Sequence, residues 1–348
     1  MALFTAAPKN LCVLRLSAIG DVCHAISVVQ AIQQHWPSTK ITWVVGKVEA
    51  QLINDLPNIN VIVFDKKQGL QGMRNVWKQL AETRFDVLLH MQAALRASML
   101  SLGIKAHYRV GFSRNRSREG QYLFTNRHLP DTEAFHVLDN FAEFARYLGV
   151  PMGKPSWNIP LSEQDRAFAS GKIRERTLVI CPAASKDERN WLVERYAEVA
   201  DYAASLGMDV VLCGSPSQRE RTLGETIQHH SKTKITNLIG QTSLKQLTAV
   251  LAQAQVVIAP DSGPAHIATT QGTPVIGLYA HSNPKRTGPY NSQAYVVSCY
   301  DTCIQQQDKS GSWGARAKGD TLMENITVQS VIKSLDKVLN SNHEQPLT

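Results

Sequence analysis

The sequence has little that would mark a membrane-spanning, secreted or metal-dependent protein. No apolar run approaches the ~18 uninterrupted residues of a membrane span. The opening residues, MALFTAAPKN, lack the basic start and apolar stretch of a secretory signal, so a cytoplasmic chain is expected. Cysteine is sparse. Cys12, Cys181 and Cys213 fall in apolar strand-like runs and Cys23 in a helical one, where a thiol acts as a small hydrophobe. Cys299 and Cys303 form a C-x-x-x-C pair with no second pair or nearby His to complete four ligands, and are read as reduced loop cysteines. There is no D-x-D, so the usual carboxylate pair for a divalent metal is missing, and no metal or cofactor is expected. G-x-G-x-x-G and P-loop motifs are missing too, which speaks against an NAD- or FAD-dependent oxidoreductase.

What is present is an ordinary globular composition, 43% hydrophobic and 19% charged, over 348 residues. That length exceeds what one core usually serves, so two domains are expected. The net charge of +8 is unevenly placed: residues 1–160 hold 18 Lys and Arg against 11 Asp and Glu, residues 161–348 hold 19 against 18. The first half should meet a polyanion, whether nucleic acid, an anionic membrane face or a phosphorylated glycolipid.

Apolar β-rich runs alternate with helical patterns: LCVLRL, VCHAISVVQAIQQHW, KITWVVG, EAQLINDL, NVIVFD, GMRNVWKQLAETR and DVLLHMQ. That order predicts a parallel sheet with helices on both faces. Between Arg109 and Leu129 periodicity fades and basic residues crowd in, before AFHVLDNFAEFARYLG reads as an amphipathic helix. GVPMGKPSWNIPLS, 149–162, has the proline and glycine content of a linker. The alternation then restarts, and the chain beyond Ser298 reads as loop until a helix from Val328 to Leu339. The expected fold class is α/β: two Rossmann-like domains facing across a cleft, at 1–160 and 161–326, with 327–348 a helix and tail.

Four stretches could carry chemistry. In SAIGD, Asp21 follows a strand and opens a helix; it is either a helix N-cap or a carboxylate at the ligand-binding edge of a sheet, suited to removing a hydroxyl proton. In PDSGPAHIATTQG, the N–H groups near Ser262 and Gly263 open a helix and suit a diphosphate. The alternative is a well-capped helix with Asp261 in the turn and His266 as a core histidine. In AASKDERNW, Ser185, Lys186 and Arg189 could hold phosphate oxygens or form a solvated mixed-charge loop. In YRVGFSRNRSREGQYLF, Arg109, Arg114, Arg116 and Arg118 interleave with aromatics; single-stranded nucleic acid, a glycolipid's carboxylates and phosphates, and plain solvation are all open. No RNP or zinc-knuckle motif supports the nucleic-acid reading.

Together and in order, SAIGD, AASKDERNW and DSGPAHIATTQGTPVIGLY resemble the lipopolysaccharide heptosyltransferases, ADP-heptose-dependent glycosyltransferases of family 9, over roughly residues 11–340. The pattern is nearest to members that add the first heptose to the Kdo (3-deoxy-octulosonate) sugar of lipid A. The resemblance implies a GT-B fold, with the acceptor on the first half and ADP-L-glycero-D-manno-heptose on the second. It implies Asp21 as catalytic base. It implies Ser185, Lys186, Arg189, Asp261, Ser262, Gly263 and His266 as donor-binding. Gln218 stands where an acidic residue often holds the ribose, with Glu220 two residues on. Arg118 matches an acceptor-binding arginine, with Arg114 and Arg116 beside it. Kdo-lipid A would be the acceptor, with peripheral contact at the anionic inner-membrane surface and no nucleic-acid partner. Inverting single displacement is expected, helix N–H groups and Arg189 taking the place of a metal. A relative using another nucleotide sugar, or adding a later core heptose, is the alternative.

Overall fold

The computed structural model describes residues 2–308 and 312–343. The chain divides after Pro160 into two compact units. Each is built on a six-stranded parallel sheet.

In the first unit the strands are β1 (Asn10–Leu14), β2 (Lys40–Gly46), β3 (Ile59–Phe64), β4 (Phe85–His90), β5 (Ala106–Gly111) and β6 (Arg127–His128). Their order is β3-β2-β1-β4-β5-β6. The helices are α1 (Ile19–His35), α2 (Lys47–Ile53), α3 (Gly69–Gln79), α4 (Leu95–Ser101) and α5 (Val137–Leu148). β1 is buried along almost its whole length because α1 and α5 cover one face, while Met73, Val76, Ala97 and Leu100 of α3 and α4 pack on the other. Burial on both faces is why LCVL and DVLLH read as continuous apolar runs rather than alternating ones.

The second unit repeats the plan. Its strands are β7 (Thr177–Ile180), β8 (Asp209–Leu212), β9 (Thr236–Asn237), β10 (Val256–Pro260), β11 (Val275–Tyr279) and β12 (Val297–Ser298), ordered β12-β11-β10-β7-β8-β9. Read from the opposite edge this is the same doubly wound order, and both are that of a Rossmann sheet. Its helices are α6 (Glu163–Ser170), α7 (Val193–Ser205), α8 (Gln218–His230), α9 (Leu244–Gln253), α10 (Gly263–Thr270), α11 (Pro284–Thr287), α12 (Tyr300–Gln305) and α13 (Val328–His343). α13 contributes Val331, Leu335 and Val338 to the core beside Trp191 and Tyr196, so it is an integral layer of this unit. Residues 344–348 of the expected tail lie outside the described residues. Gly272, at φ 79°, turns the chain out of α10 in a left-handed conformation that a side chain would oppose.

Several expectations need correction. α1 begins at Ile19 with Ala18 as its N-cap, so Asp21 is not the cap and the chain turns at Arg15–Ala18. β6 and the end of β5 fall in the stretch from Arg109 to Leu129 where periodicity fades, and α4 lies just before it. The proline-rich segment is no free linker: Trp157 Nε1 donates to the Cys23 carbonyl at 2.7 Å, and Gln30 Nε2 donates to the Asn158 carbonyl at 2.6 Å, so the segment is laced onto α1. Cys299 and Cys303 are not in a loop. They bracket the first turn of α12 with sulfurs 3.7 Å apart, and burial pushes the Cys299 thiol up to about 12. Tyr300, Cys303 and Ile304 form a small core with Ala317, which orders part of the chain expected to be loop.

Candidate active site

Ligands of doubly wound sheets bind beyond the C-terminal strand ends, where the strand order reverses. In the first unit that point lies between β1 and β4, and Asp21 stands just past it. Asp21 is the third residue of α1, not its N-cap; its carboxylate reaches back to the Ala18 N–H at 3.4 Å. The same carboxylate is ion-paired with Arg15, which leaves β1 and is buried. Arg15 Nη1 donates to the Met91 carbonyl at 2.6 Å, and its guanidinium lies 5.2 Å from the Phe141 ring centroid. Burial pulls the Arg15 guanidinium down from its ordinary value, and Asp21 opposes that shift. The Asp21 side chain nonetheless keeps 32% of its surface exposed, so a bound molecule can reach it.

The turn before α1 is held from β4. The Leu16 N–H donates to Gln92 Oε1 at 2.7 Å, while Gln92 Nε2 donates to Ser17 Oγ at 3.3 Å. From the other side, the Gly46 N–H donates to the Leu16 carbonyl at 2.9 Å. A Cβ on Gly46 would fall 2.4 Å from that oxygen, so only glycine allows the approach. Glu49 of α2, whose carboxyl burial raises, adds a further negative charge near Arg15.

The basic loop is anchored to the same sheet edge. Gln121 Nε2 donates to the His90 carbonyl at 2.7 Å and stands 3.1 Å from His90 Nδ1, while His90 Nε2 meets Ser98 Oγ at 3.2 Å. Burial pulls His90 down to about 3, so its ring is neutral. The arginines of this loop divide by role. Arg114 and Arg118 are exposed, with Arg114 5.5 Å from the Tyr122 ring centroid. Arg116 Nη2 reaches the Ala134 carbonyl at 3.3 Å, and its guanidinium is lowered first by burial. Arg109, grouped with these arginines in the sequence, is structural: Nε donates to the Phe124 carbonyl at 3.0 Å and Nη1 to the Ile104 carbonyl at 2.9 Å.

In the second unit the order reverses between β7 and β10, and two of the sequence stretches converge there. Ser262 is the N-cap of α10 with Pro264 in the first turn, and its buried Oγ has no hydrogen-bond partner among the described residues. Asp261 accepts from Ser282 Oγ at 2.6 Å and pairs with Arg189 at 3.9 Å. Arg189 turns inward, 12% exposed, and its guanidinium is lowered by burial first and then by Arg316. Two cations and the first N–H groups of α10 therefore share this edge.

The rest of the AASKDERNW loop faces outward. Ser185 and Lys186 are exposed, and Lys186 Nζ pairs with Glu188 at 3.3 Å. Asp187 pairs with Arg219. Asn190 Oδ1 accepts the Ala184 N–H at 2.7 Å and closes the loop into a tight turn, while buried Trp191 anchors its end by donating to the Ile326 carbonyl at 2.9 Å. Gln218 begins α8 after β8, with its amide 3.3 Å from Thr222 Oγ1. Glu220 is turned back onto the Ser215 N–H at 2.7 Å. His266 is buried within α10. No group of three or more His, Cys, Asp or Glu side chains able to hold a metal ion occurs among the described residues.

A sequence model of glycosyltransferase family 9 (heptosyltransferase) matches residues 73–314. The chain belongs to that family. It is 50% identical to the lipopolysaccharide core heptosyltransferase OpsX of Haemophilus influenzae, over 97% of this chain and 99% of that protein. Among solved structures, a family 9 glycosyltransferase from Veillonella parvula superposes with a TM-score of 0.80 at 25% identity, over 96% of this chain and 97% of that one. Heptosyltransferase WaaC of Escherichia coli, solved with ADP, superposes with a TM-score of 0.74 at 18% identity, over 95% of this chain and 100% of that one. This family 9 protein is thus a glycosyltransferase of the GT-B fold class, built from two Rossmann-like units.

Arg15, Gln92, Ser282 and Arg316 were not singled out from the sequence of this glycosyltransferase. Arg15 carries a usable signal, a cation at the end of an apolar strand run. The other three follow strands or lie in irregular chain, and their partners are remote in sequence.

Proposed function

We propose that this enzyme transfers heptose from ADP-L-glycero-D-manno-heptose to a Kdo residue of Kdo-lipid A, with inversion. Asp21 takes the proton from the acceptor hydroxyl. The hydroxyl oxygen bonds to the anomeric carbon of heptose while the bond from that carbon to the β-phosphate oxygen breaks, and ADP departs with the electron pair. A carboxylate is a weak base at neutral pH, but the proton need move only late, as the attacking oxygen becomes acidic. The transition state is oxocarbenium-like, as in other glycosyl chemistry.

The observation that carries this reading is the position of Asp21: at the ligand-binding edge of β1, partly exposed, and oriented by a buried arginine. For the donor, the start of α10 at Ser262 and Gly263, with Arg189 and Arg316, supplies positive charge for the departing diphosphate. Asp261 orients Arg189, and His266 lies one turn into the same helix. In this reading Ser185 contacts the phosphates and Lys186, paired with Glu188, stays at their rim, while Gln218 meets the ribose. Arg114, Arg116 and Arg118 bind acidic groups of the acceptor. The lipid-linked acceptor and the positive first half support a peripheral position on the cytoplasmic face of the inner membrane. No helix among the described residues is long and apolar enough to cross it.

The test is incubation of the purified enzyme with ADP-heptose and heptose-free lipopolysaccharide in excess EDTA, followed by mass spectrometry. The expected result is one added heptose and acceptor-dependent release of ADP. Transfer only to an acceptor already carrying heptose would assign a later core position. Complete loss in EDTA that Mg²⁺ restores would contradict the metal-free diphosphate site.

A further inference from the structure

Every large apolar side chain left exposed among the described residues lies in the first unit, the half that also holds the excess positive charge. Five of them sit on two neighbouring segments: Leu95, Met99 and Leu102 on and just after α4, and Tyr122 and Leu123 in the helical turn 121–124. The spacing of the first three puts them on one stripe of the helix, while Ala97 and Leu100 are buried beneath. Leu102 is 65% exposed and Leu123 72%, levels that no local packing accounts for.

The two segments are held as one face. Arg109 donates to the Ile104 carbonyl at 2.9 Å and to Ser101 Oγ at 2.9 Å on one side, and to the Phe124 carbonyl at 3.0 Å on the other. Glu119 accepts the Leu95 N–H at 2.8 Å, and Trp77 Nε1 fixes the inner side of α4 through the Leu100 carbonyl at 2.8 Å. A half-buried arginine is therefore used to hold exposed leucines in place. Around them stand exposed Arg96, Arg114, Arg118 and Arg127. Of the acidic groups nearby, Glu119 is engaged with Leu95 and Asp131 with Asn115 Nδ2 at 2.9 Å.

We propose that this face docks the first unit onto an anionic phospholipid surface, Leu102 and Leu123 entering the interface and the exposed Arg96 and Arg127 meeting lipid phosphates. Apolar side chains ringed by arginine are the composition of an interfacial contact, where apolar burial and attraction to anionic headgroups add. The positive charge of this half complements such a surface. The proposal rests on the assigned reaction only in that a lipid-linked acceptor supplies the reason for being at a bilayer.

The test is co-sedimentation of the full chain with acceptor-free vesicles of phosphatidylethanolamine and phosphatidylglycerol, and with vesicles of phosphatidylcholine alone, across a salt series. The wild type should bind the anionic vesicles, more weakly as salt rises, and Leu102→Gln with Leu123→Gln should cut that binding about tenfold or more at an unchanged thermal midpoint. Transfer to a delipidated, water-soluble acceptor should be unaltered in the double variant. Failure of the wild type on every acceptor would remove the assigned reaction and leave the vesicle result standing. Equal vesicle binding by wild type and double variant would overturn the proposal, as would absence of wild-type binding. A wild-type dimer that the double substitution dissociates, with no vesicle binding, would give the face to a second copy of the chain.

Discussion

The guanidinium of Arg15 is paired with the carboxylate of Asp21 and donates at the same time to the Met91 carbonyl at 2.6 Å. One buried side chain thus joins the end of β1, the first turn of α1 and the end of β4 at the edge where a doubly wound sheet binds its ligand. A carboxylate serving only as a cap needs just the backbone N–H groups of its own helix. Asp21 has one such contact, at 3.4 Å, and the arginine besides.

In the proposed transfer Arg15 is accordingly a positioning residue. Arg15→Met should lower kcat by about 10–10² with little change in acceptor KM, because misplacing a catalytic group by an ångström costs about that much. Arg15→Lys, which keeps the charge, should recover part of the loss. Steady-state kinetics, with thermal midpoints showing that the variants are folded, check this; wild-type kcat in Arg15→Met would leave the pair a purely structural feature.

Arg189 should matter to the donor far more than Lys186. Arg189 is inward-facing against Asp261, and a charge-assisted bond to phosphate is worth about 1.5–3 kcal/mol, so Arg189→Gln should raise the Kd for ADP about tenfold or more. Lys186 is 62% exposed and paired with its neighbour Glu188, so Lys186→Gln should change it by less than about twofold. Isothermal titration distinguishes the two, and equal effects would contradict the assignment.

The arginines of the basic loop should separate in the same way. Arg118→Ala is expected to raise acceptor KM and leave the Kd for ADP unchanged. Arg109→Ala should lower the thermal midpoint instead, since it strips hydrogen bonds from the carbonyls of Ile104 and Phe124, at about 1–3 kcal/mol for each left unsatisfied. A loss of ADP affinity in Arg118→Ala would overturn the division of labour between the units.

His90 makes a prediction about pH. Its folded pKa is depressed by burial from 6.5 to about 3, so the neutral ring favours the fold. That contribution is complete above pH ~6.5 and is lost as pH falls toward 3, by about 1.4 kcal/mol per unit. The stability difference between wild type and His90→Gln should therefore be largest near pH 8 and shrink by about 2 kcal/mol on going to pH 5. Urea unfolding at both values checks it, and a pH-independent difference would contradict the buried neutral histidine.

Much of this was legible in the sequence, and the residues show why. SAIGD and PDSGPAH were readable because each joins an apolar strand to a helix within a few residues, so the local signal and the sheet-edge rule coincide. α4, β5 and β6 were not, because AHYRVG mixes polar and basic residues into a strand that is only partly buried. Arg109 was grouped with exposed arginines for want of any sign that it turns inward to the chain's own carbonyls. The proline-rich segment looked free because Trp157 and Asn158 find their partners in α1, more than a hundred positions earlier. Arg15 pairs with Met91 across the sheet, and only the strand order brings those two together.

The central claim is that Asp21 is the base of the transfer, and its most direct test is the turnover of Asp21→Ala at saturating ADP-heptose and acceptor. The account predicts a fall in kcat of about 10²–10⁴ in a folded protein whose affinity for ADP-heptose is nearly that of the wild type. Near-wild-type turnover would contradict it and return Asp21 to a structural part in the first turn of α1.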